Sequence, residues 1–168
     1  MRRSVYAVLA AIWRLLRSGL RWRVLRLTHA TFLVAVAGVV FDDEGRILLQ
    51  RHRFWADGSW GLPGGYVEPR ESLEEALARE VREESRLAIG DVRLLRAVSG
   101  FRFRLEFFFT ARLAGGVARP DPGEVLEIRF FAPDGLPEGL LPEHARIVGE
   151  AVAARDQRPP SSGSSRVS

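Results

Sequence analysis

Residues 61–87 read GLPGGYVEPRESLEEALAREVREESRL, and the rest of the chain is arranged around them. Gly61, Pro63, Gly64 and Gly65 open the stretch with a turn in which backbone bends sharply or approaches a ligand closely. From Ser72 onward Leu73, Ala76, Leu77 and Val81 recur at helical steps, which predicts a helix. Glu80, Glu83 and Glu84 then share one face of that helix. Like charges at this spacing destabilise a helix unless something neutralises them. Two readings meet that requirement. One is a solvated helix laced with ion pairs, since Glu75 and Arg79, and Arg79 and Glu83, stand four residues apart. The other is a hard divalent cation, because Mg2+ takes carboxylate oxygens and leaves positions for water and substrate phosphates.

The longer spacing decides between them. Counted from Gly65, five residues lead to Glu71 and seven more to Arg79-Glu80-Val81-Arg82-Glu83-Glu84; one residue later come Arg86 and Leu87. This closely resembles the Nudix box, G-x5-E-x7-R-E-U-x-E-E-x-G-U with U apolar. A chance match at the charged and glycine positions is on the order of 10^-7 per window. Arg86 departs from the pattern, standing where the family has glycine. That glycine ends the helix in a left-handed conformation that costs other residues about 1–2 kcal/mol. The substitution predicts a helix exit that is longer or differently bent.

The resemblance extends over about residues 32–153 and includes the lead-in GVVFDDEGRILLQRH and the run WGLPGG. It implies an α/β chain with the Nudix fold, a mixed β-sheet sandwiched between α-helices; the extra amphipathic helix expected at the N-terminus lies outside the resemblance and is read from its own periodicity. The resemblance implies metal-dependent hydrolysis of the diphosphate linkage in a nucleoside diphosphate derivative, with ADP-ribose-type compounds and nucleoside triphosphates both open. On the same ground Glu80, Glu83 and Glu84 correspond to metal-binding carboxylates for Mg2+ or Mn2+ and are candidates for the base. The carbonyl of Gly64 corresponds to a backbone ligand. Arg79 corresponds to the arginine that orients a box glutamate, and Glu71, beside the supporting Gly65, to the glutamate that supports the loop or binds metal more peripherally. Many members use a further acid outside the box. Glu124 is the candidate, in a glycine–proline loop at the mouth of a strand, with Asp121 and Glu127 competing. Two other classes are a nucleotide-sensing module and a membrane-surface enzyme for a lipid-linked or CoA-type diphosphate. The intact carboxylate triad argues against the sensor.

A chain of 168 residues, 46% of them hydrophobic, suits one domain with its own core. The absence of cysteine excludes disulfides, zinc–thiolate sites and thiol catalysis. His29, His52 and His144 lie far apart in sequence and form no ligand pattern. Every basic residue is arginine, and seven of the 25 fall within residues 1–28, which hold no acid; the remainder has 18 arginines against 21 acids. That balance suits a small nucleotide-type substrate rather than a nucleic acid.

Residues 4–26 predict a helix, with Val5, Leu9, Ile12, Leu16 and Leu20 on one side and Arg14, Arg17 and Arg21 on another. The apolar run Val5 to Trp13 is too short to span a bilayer. Such a helix suits either self-association and packing or peripheral contact with an anionic membrane; Trp13 and Trp22 fit both. The expected location is the cytoplasm, peripheral to the membrane at most. Strands are expected over Thr31–Phe41, Arg46–Gln50, Val92–Val98, Phe103–Leu113 and Val125–Phe131, and a closing helix over Pro142–Arg155. Trp60 is expected to anchor the core, whereas Phe54 and Trp55 either stack on a base or cover their own loop. The expected organisation is a basic helix over residues 1–28, a catalytic domain over 29–155 and a disordered tail over 156–168.

Overall fold

The computed structural model describes residue 14 and residues 18–56, 58–101 and 103–157. Along the chain stand α1 (Ser18–Thr28), β1 (Leu33–Phe41), β2 (Ile47–His52), β3 (Gly64–Tyr66), α2 (Leu73–Ser85), β4 (Leu87–Phe101), β5 (Arg104–Gly116), β6 (Val125–Phe131) and α3 (Pro142–Asp156). The apolar run of β1 makes it the centre. It pairs in parallel with β5 and antiparallel with β2 and β3, giving the order β4-β5-β1-β2-β6 with β3 attached to β1.

Alternation along the strands sorts the core into two layers. Val36 and Val40 of β1, Leu48 of β2 and Phe109 of β5 meet Ala76, Leu77 and Val81 of α2. Ala37, Val39 and Phe41 of β1, with Ile47, Leu49 and Phe108, meet Ile147, Val148 and Ala151 of α3. The mixed sheet therefore lies between α2 and α3, as the resemblance implies. Each fully buried Val, Leu, Ile or Phe in these layers contributes about 1.5–3 kcal/mol relative to exposure. Trp60 is buried in the second layer, edge-on to Phe131 at 5.0 Å.

Four features differ from the sequence reading. β4 is about twice as long as expected and β5 runs three residues further at its end, because cross-strand pairing carries Gly90, Gly115 and Gly116 into the ladder despite their poor strand propensity. β3 lies inside what reads as a glycine turn. Gly64 has φ 153°, and a Cβ there would collide with the Val36 carbonyl, so only glycine lets this segment lie against β1. The helix exit is neither longer nor re-routed: Arg86 itself takes the left-handed conformation (φ 62°, ψ 17°) and its N–H donates to Arg82 O at 2.9 Å. Tertiary hydrogen bonds hold it there, since the Ser85 and Glu84 carbonyls accept from the N–H groups of Arg119 and Asp121. Finally, α3 runs through Asp156, into the first residue of the expected tail.

Of the helix expected over residues 4–26, α1 and Arg14 are described; residues 4–13 and 15–17 lie outside the described residues, as do 158–168 of the tail. Among the described residues no helix is long and apolar enough to cross a membrane.

Candidate active site

The phase of α2 is set at its first residue. The Ser72 side chain accepts from the Glu75 N–H at 3.2 Å, and the Glu75 carboxylate accepts from the Ser72 N–H at 2.8 Å, a reciprocal cap. With the start fixed, Ala76, Leu77 and Val81 face the sheet, and Glu80, Glu83 and Glu84 come out against the glycine segment and the cleft beside it.

Arg79 is the hub of the helix face. It donates two hydrogen bonds to Glu71, from Nε to Oε2 at 3.0 Å and from Nη2 to Oε1 at 2.8 Å. Its Nη1 donates to Glu80 Oε1 at 3.0 Å and to Glu83 Oε2 at 3.2 Å, and Nη2 also reaches Tyr66 O at 3.0 Å. The planar guanidinium thereby holds three carboxylates and the β3 backbone in one arrangement. Glu71 also accepts from the Glu68 N–H at 2.6 Å. The Arg79 hydrogen bonds, then that backbone bond, bring its pKa down to about 2. Glu71 stays ionised and ties the 66–71 loop to α2. Gly65 leaves room for Glu80, whose carboxylate a Cβ at that position would strike.

Glu84 is set differently. Its Oε1 accepts from Gln50 Nε2 at 2.7 Å and its Oε2 from the Gly64 N–H at 3.1 Å. Only 3% of it is exposed, and burial, partly opposed by those two bonds, pushes its pKa up to about 8. Burial also raises Glu80, against the pull of Arg79.

Glu124 enters from the far side. Its loop is fastened to the end of α2 by the Arg119 and Asp121 backbone bonds and to β2 by the Arg53 N–H, which donates to Glu124 O at 2.7 Å. The carboxylate reaches 3.7 Å from His52 Nε2, and Glu80, Glu83, Glu84 and Glu124 line one cleft of about 920 Å3. Of its competitors, Asp121 pairs with Arg86 at 3.6 Å and accepts from the Gly123 N–H, while Glu127 pairs with Arg51 and Arg129. Neither lines the cleft.

Phe54, Trp55, Tyr66 and His144 form the aromatic part of the wall. His144 Nδ1 accepts from the Leu62 N–H at 3.0 Å, and burial lowers its pKa to about 4, so it is neutral at ordinary pH. Arg104 stacks over Tyr66 at 5.6 Å.

Sequence reasoning passed over Gln50, His52 and His144. For Gln50 a signal existed: it follows Ile47-Leu48-Leu49 in a buried strand, where a polar side chain requires a partner. For the histidines none did, because β2, the 119–124 loop and the start of α3 meet only in three dimensions.

The residues present fit a divalent cation. The converging side-chain donors of α2 are carboxylate oxygens, the set a hard cation takes, and one is buried among groups that leave its charge uncompensated. Beside it Gln50 Oε1 is buried without a partner, an acceptor facing a donor that the described protein atoms do not supply.

Comparison with known proteins identifies the domain. Residues 31–151 match the NUDIX domain family. The NAD-capped RNA hydrolase NudC of Photorhabdus laumondii subsp. laumondii is 35% identical over 118 residues, covering 70% of this chain and 44% of that protein. The 8-oxo-dGDP phosphatase NUDT18 of Homo sapiens is 31% identical over 118 residues, covering 68% of this chain and 36% of that one. The crystal structure of an ADP-ribose pyrophosphatase from Streptococcus suis has a TM-score of 0.61 at 27% identity, covering 73% of this chain and 92% of that one. The chain thus spans less than half the length of these two curated relatives. The match over residues 31–151, with the Gly65-to-Leu87 spacing folded into this cleft, makes the chain a member of the Nudix hydrolase family.

Proposed function

We propose that this Nudix hydrolase cleaves the diphosphate linkage of a small nucleoside diphosphate derivative, of ADP-ribose type or a nucleoside triphosphate. The observation that carries the reading is the joining, in one cleft of about 920 Å3, of the Arg79-organised carboxylates with the aromatic wall of Phe54, Trp55 and Tyr66. The volume lies within the range of small-molecule sites. Aromatic faces offer stacking for a base, and carboxylates beside them have no use for a diphosphate unless a cation intervenes.

Glu80, Glu83 and Glu84, with the Gly64 carbonyl, are the groups that would hold Mg2+ or Mn2+. When bound, the cation neutralises the diphosphate charge and lowers the pKa of a water. The protein's own residues do the remainder. Arg79 keeps Glu80 and Glu83 in place and Glu71 holds the loop. The Gly64 N–H and Gln50 orient Glu84. Glu124, exposed at the rim, is the proposed acceptor for the proton of the attacking water. The relatives' names include a capped RNA, and residues 29–168 hold 18 arginines against 21 acids, which favours a small nucleotide over a long polyanion.

A second reading concerns location. α1 exposes Leu20, Leu27, Arg23 and Arg26, which suits a cytoplasmic protein in peripheral contact with an anionic membrane, where a lipid-linked or CoA-type diphosphate would be within reach.

The test is phosphate release, coupled to an added phosphatase, across nucleoside triphosphates, ADP-ribose, NAD and an NAD-capped RNA with Mg2+ or Mn2+. Wild type is expected to turn over at least one small nucleotide. Glu83→Gln is expected to lose about 10^2 in kcat, the scale for removing one electrostatic stabiliser. Turnover of the capped RNA alone overturns the substrate assignment. Binding without turnover makes the domain a sensor.

A further inference from the structure

His52 Nε2 lies 3.8 Å from Glu84 Oε1 and 3.7 Å from Glu124 Oε2, and the three groups offer atoms that all lie within 4.8 Å of one another. By composition this trio reads as a metal site with an imidazole ligand. The ring's other nitrogen argues against that. The Phe54 N–H donates to His52 Nδ1 at 3.3 Å. A nitrogen that accepts carries its lone pair outward, so in the neutral ring the proton sits on Nε2. That nitrogen then has nothing to offer a cation. A ligating histidine carries its proton on the nitrogen turned away from the metal, where it donates to a carbonyl or carboxylate. Here the arrangement is the reverse.

We propose that His52 is a positioning residue: its Nε2–H turns the positive edge of the ring between Glu84 and Glu124, 3.8 and 3.7 Å away, and holds the loop carboxylate over the buried one by electrostatic attraction. Without a donor between them, two carboxylates converging on one partly buried site repel. The backbone is built to bring this about. The β2–β6 register shifts between Arg51 and His52, so that Arg51 faces Glu127 and His52 faces Val125. The shift skips Leu126 and draws Glu124 one residue closer to His52, the re-aiming that a β-bulge produces. Arg53 fastens the result, donating from N to Glu124 O at 2.7 Å and from Nη2 to Pro122 O at 3.1 Å. The imidazole is steadied by Phe54 and Trp55, with ring centroids at 5.5 and 5.3 Å. Its two aromatic supports also line the cleft, so the donor, the loop acid and the stacking wall share one frame.

The role in turnover rests on the hydrolase reading above; the proton's location does not. Long-range 1H–15N correlation on the full chain, with His52 assigned by its loss in His52→Gln, reads the tautomer directly. The expected result is a proton on Nε2 and none on Nδ1, without metal and with saturating Mg2+. A proton on Nδ1 in either spectrum overturns the proposal, and Nδ1–H with a bare Nε2 leaves that nitrogen free to ligate. Kinetics supplies the second arm. Gln places an N–H donor near the Nε2 position, whereas Asn is too short to do so. His52→Asn and Glu124→Gln are each expected to lower kcat about 10- to 100-fold with KM little changed, the scale for displaced supporting partners. His52→Gln restores most of that loss, and the Asn/Gln double variant is no slower than the slower single. Multiplicative losses, or equal losses in His52→Gln and His52→Asn, overturn the proposal. If wild type turns over no nucleotide, the hydrolase reading fails, and the tautomer still decides whether His52 donates or ligates.

Discussion

Two glutamates one turn apart on α2 are placed in opposite electrostatic situations. Glu80 leans on Arg79, whereas Glu84 is buried, accepts hydrogen bonds only from Gln50 and the Gly64 N–H among the described residues, and has no arginine beside it. The pKa of Glu84 rises from its ordinary 4.5 to about 8 by burial. Because the folded state then binds the proton more tightly than the unfolded chain, this contribution to stability is fully present below about pH 4.5. It is lost as pH climbs through 8. At about 1.4 kcal/mol per pH unit the loss amounts to roughly 3–5 kcal/mol in metal-free protein. Glu80 adds to it in the same direction. Glu71, lowered to about 2, contributes stability above its ordinary value and loses it only as pH falls toward 2. Denaturant melts in EDTA from pH 5 to pH 8.5 are therefore expected to show declining stability, with added Mg2+ restoring more at pH 8 than at pH 5. Glu84→Gln should flatten most of the decline at a pH-independent cost of about 1–2 kcal/mol, since its NH2 cannot accept from both donors.

Among the elements, α2 carries the clearest conflict between local preference and tertiary demand. Its start is specified locally by the Ser72–Glu75 cap, but its end is held in a left-handed turn at Arg86 by partners from residues 119–121. The Arg86–Asp121 pair, at 3.6 Å and largely exposed, returns little of that strain. Arg86→Gly is accordingly expected to raise stability by about 0.5–1 kcal/mol, the strain relieved exceeding the entropy that glycine adds to the unfolded chain. Urea melts read this as a higher midpoint at unchanged slope, with turnover within about twofold of wild type because the carboxylates lie a turn upstream. A fall in stability would mean that Asp121 matters more than its exposure suggests.

At the scale of the whole molecule the site sits where β1, the end of β2, the glycine segment, α2, β5, the loop at Glu124 and the start of α3 converge, and among the described residues none of α1 lines the cleft. Removing residues 1–27 is therefore expected to leave kcat and KM within about twofold. The same truncation is expected to abolish sedimentation with vesicles containing anionic lipid, if Arg23 and Arg26 with the exposed Leu20 and Leu27 make the peripheral contact. Full-length protein that fails to sediment, or a truncated chain that still does, removes the membrane reading and leaves self-association to be measured by sedimentation velocity.

The box itself was legible without a structure. Its spacing encodes a capped helix whose phase puts Arg79, Glu80, Glu83 and Glu84 on the cleft side, and phase is a local property that 3.6 residues per turn dictates. The strands β1, β2 and β6 were legible for a similar reason, since burial on one or both faces writes itself into apolar runs and alternation. The glycine ladder of β3, the full reach of β4 and β5 and the left-handed Arg86 were not. In each, pairing with a distant segment overrides what the local residues prefer. The same holds for the far side of the cleft. Glu124 could be picked out by its loop but not separated from Asp121 and Glu127 until β2–β6 pairing turned it toward His52. Sequence alone determined the family and its kind of chemistry, because the box carboxylates are neighbours on one helix. Only the tertiary structure decided which other groups join them, because those come from segments whose meeting depends on register, and a one-residue shift redirects a side chain.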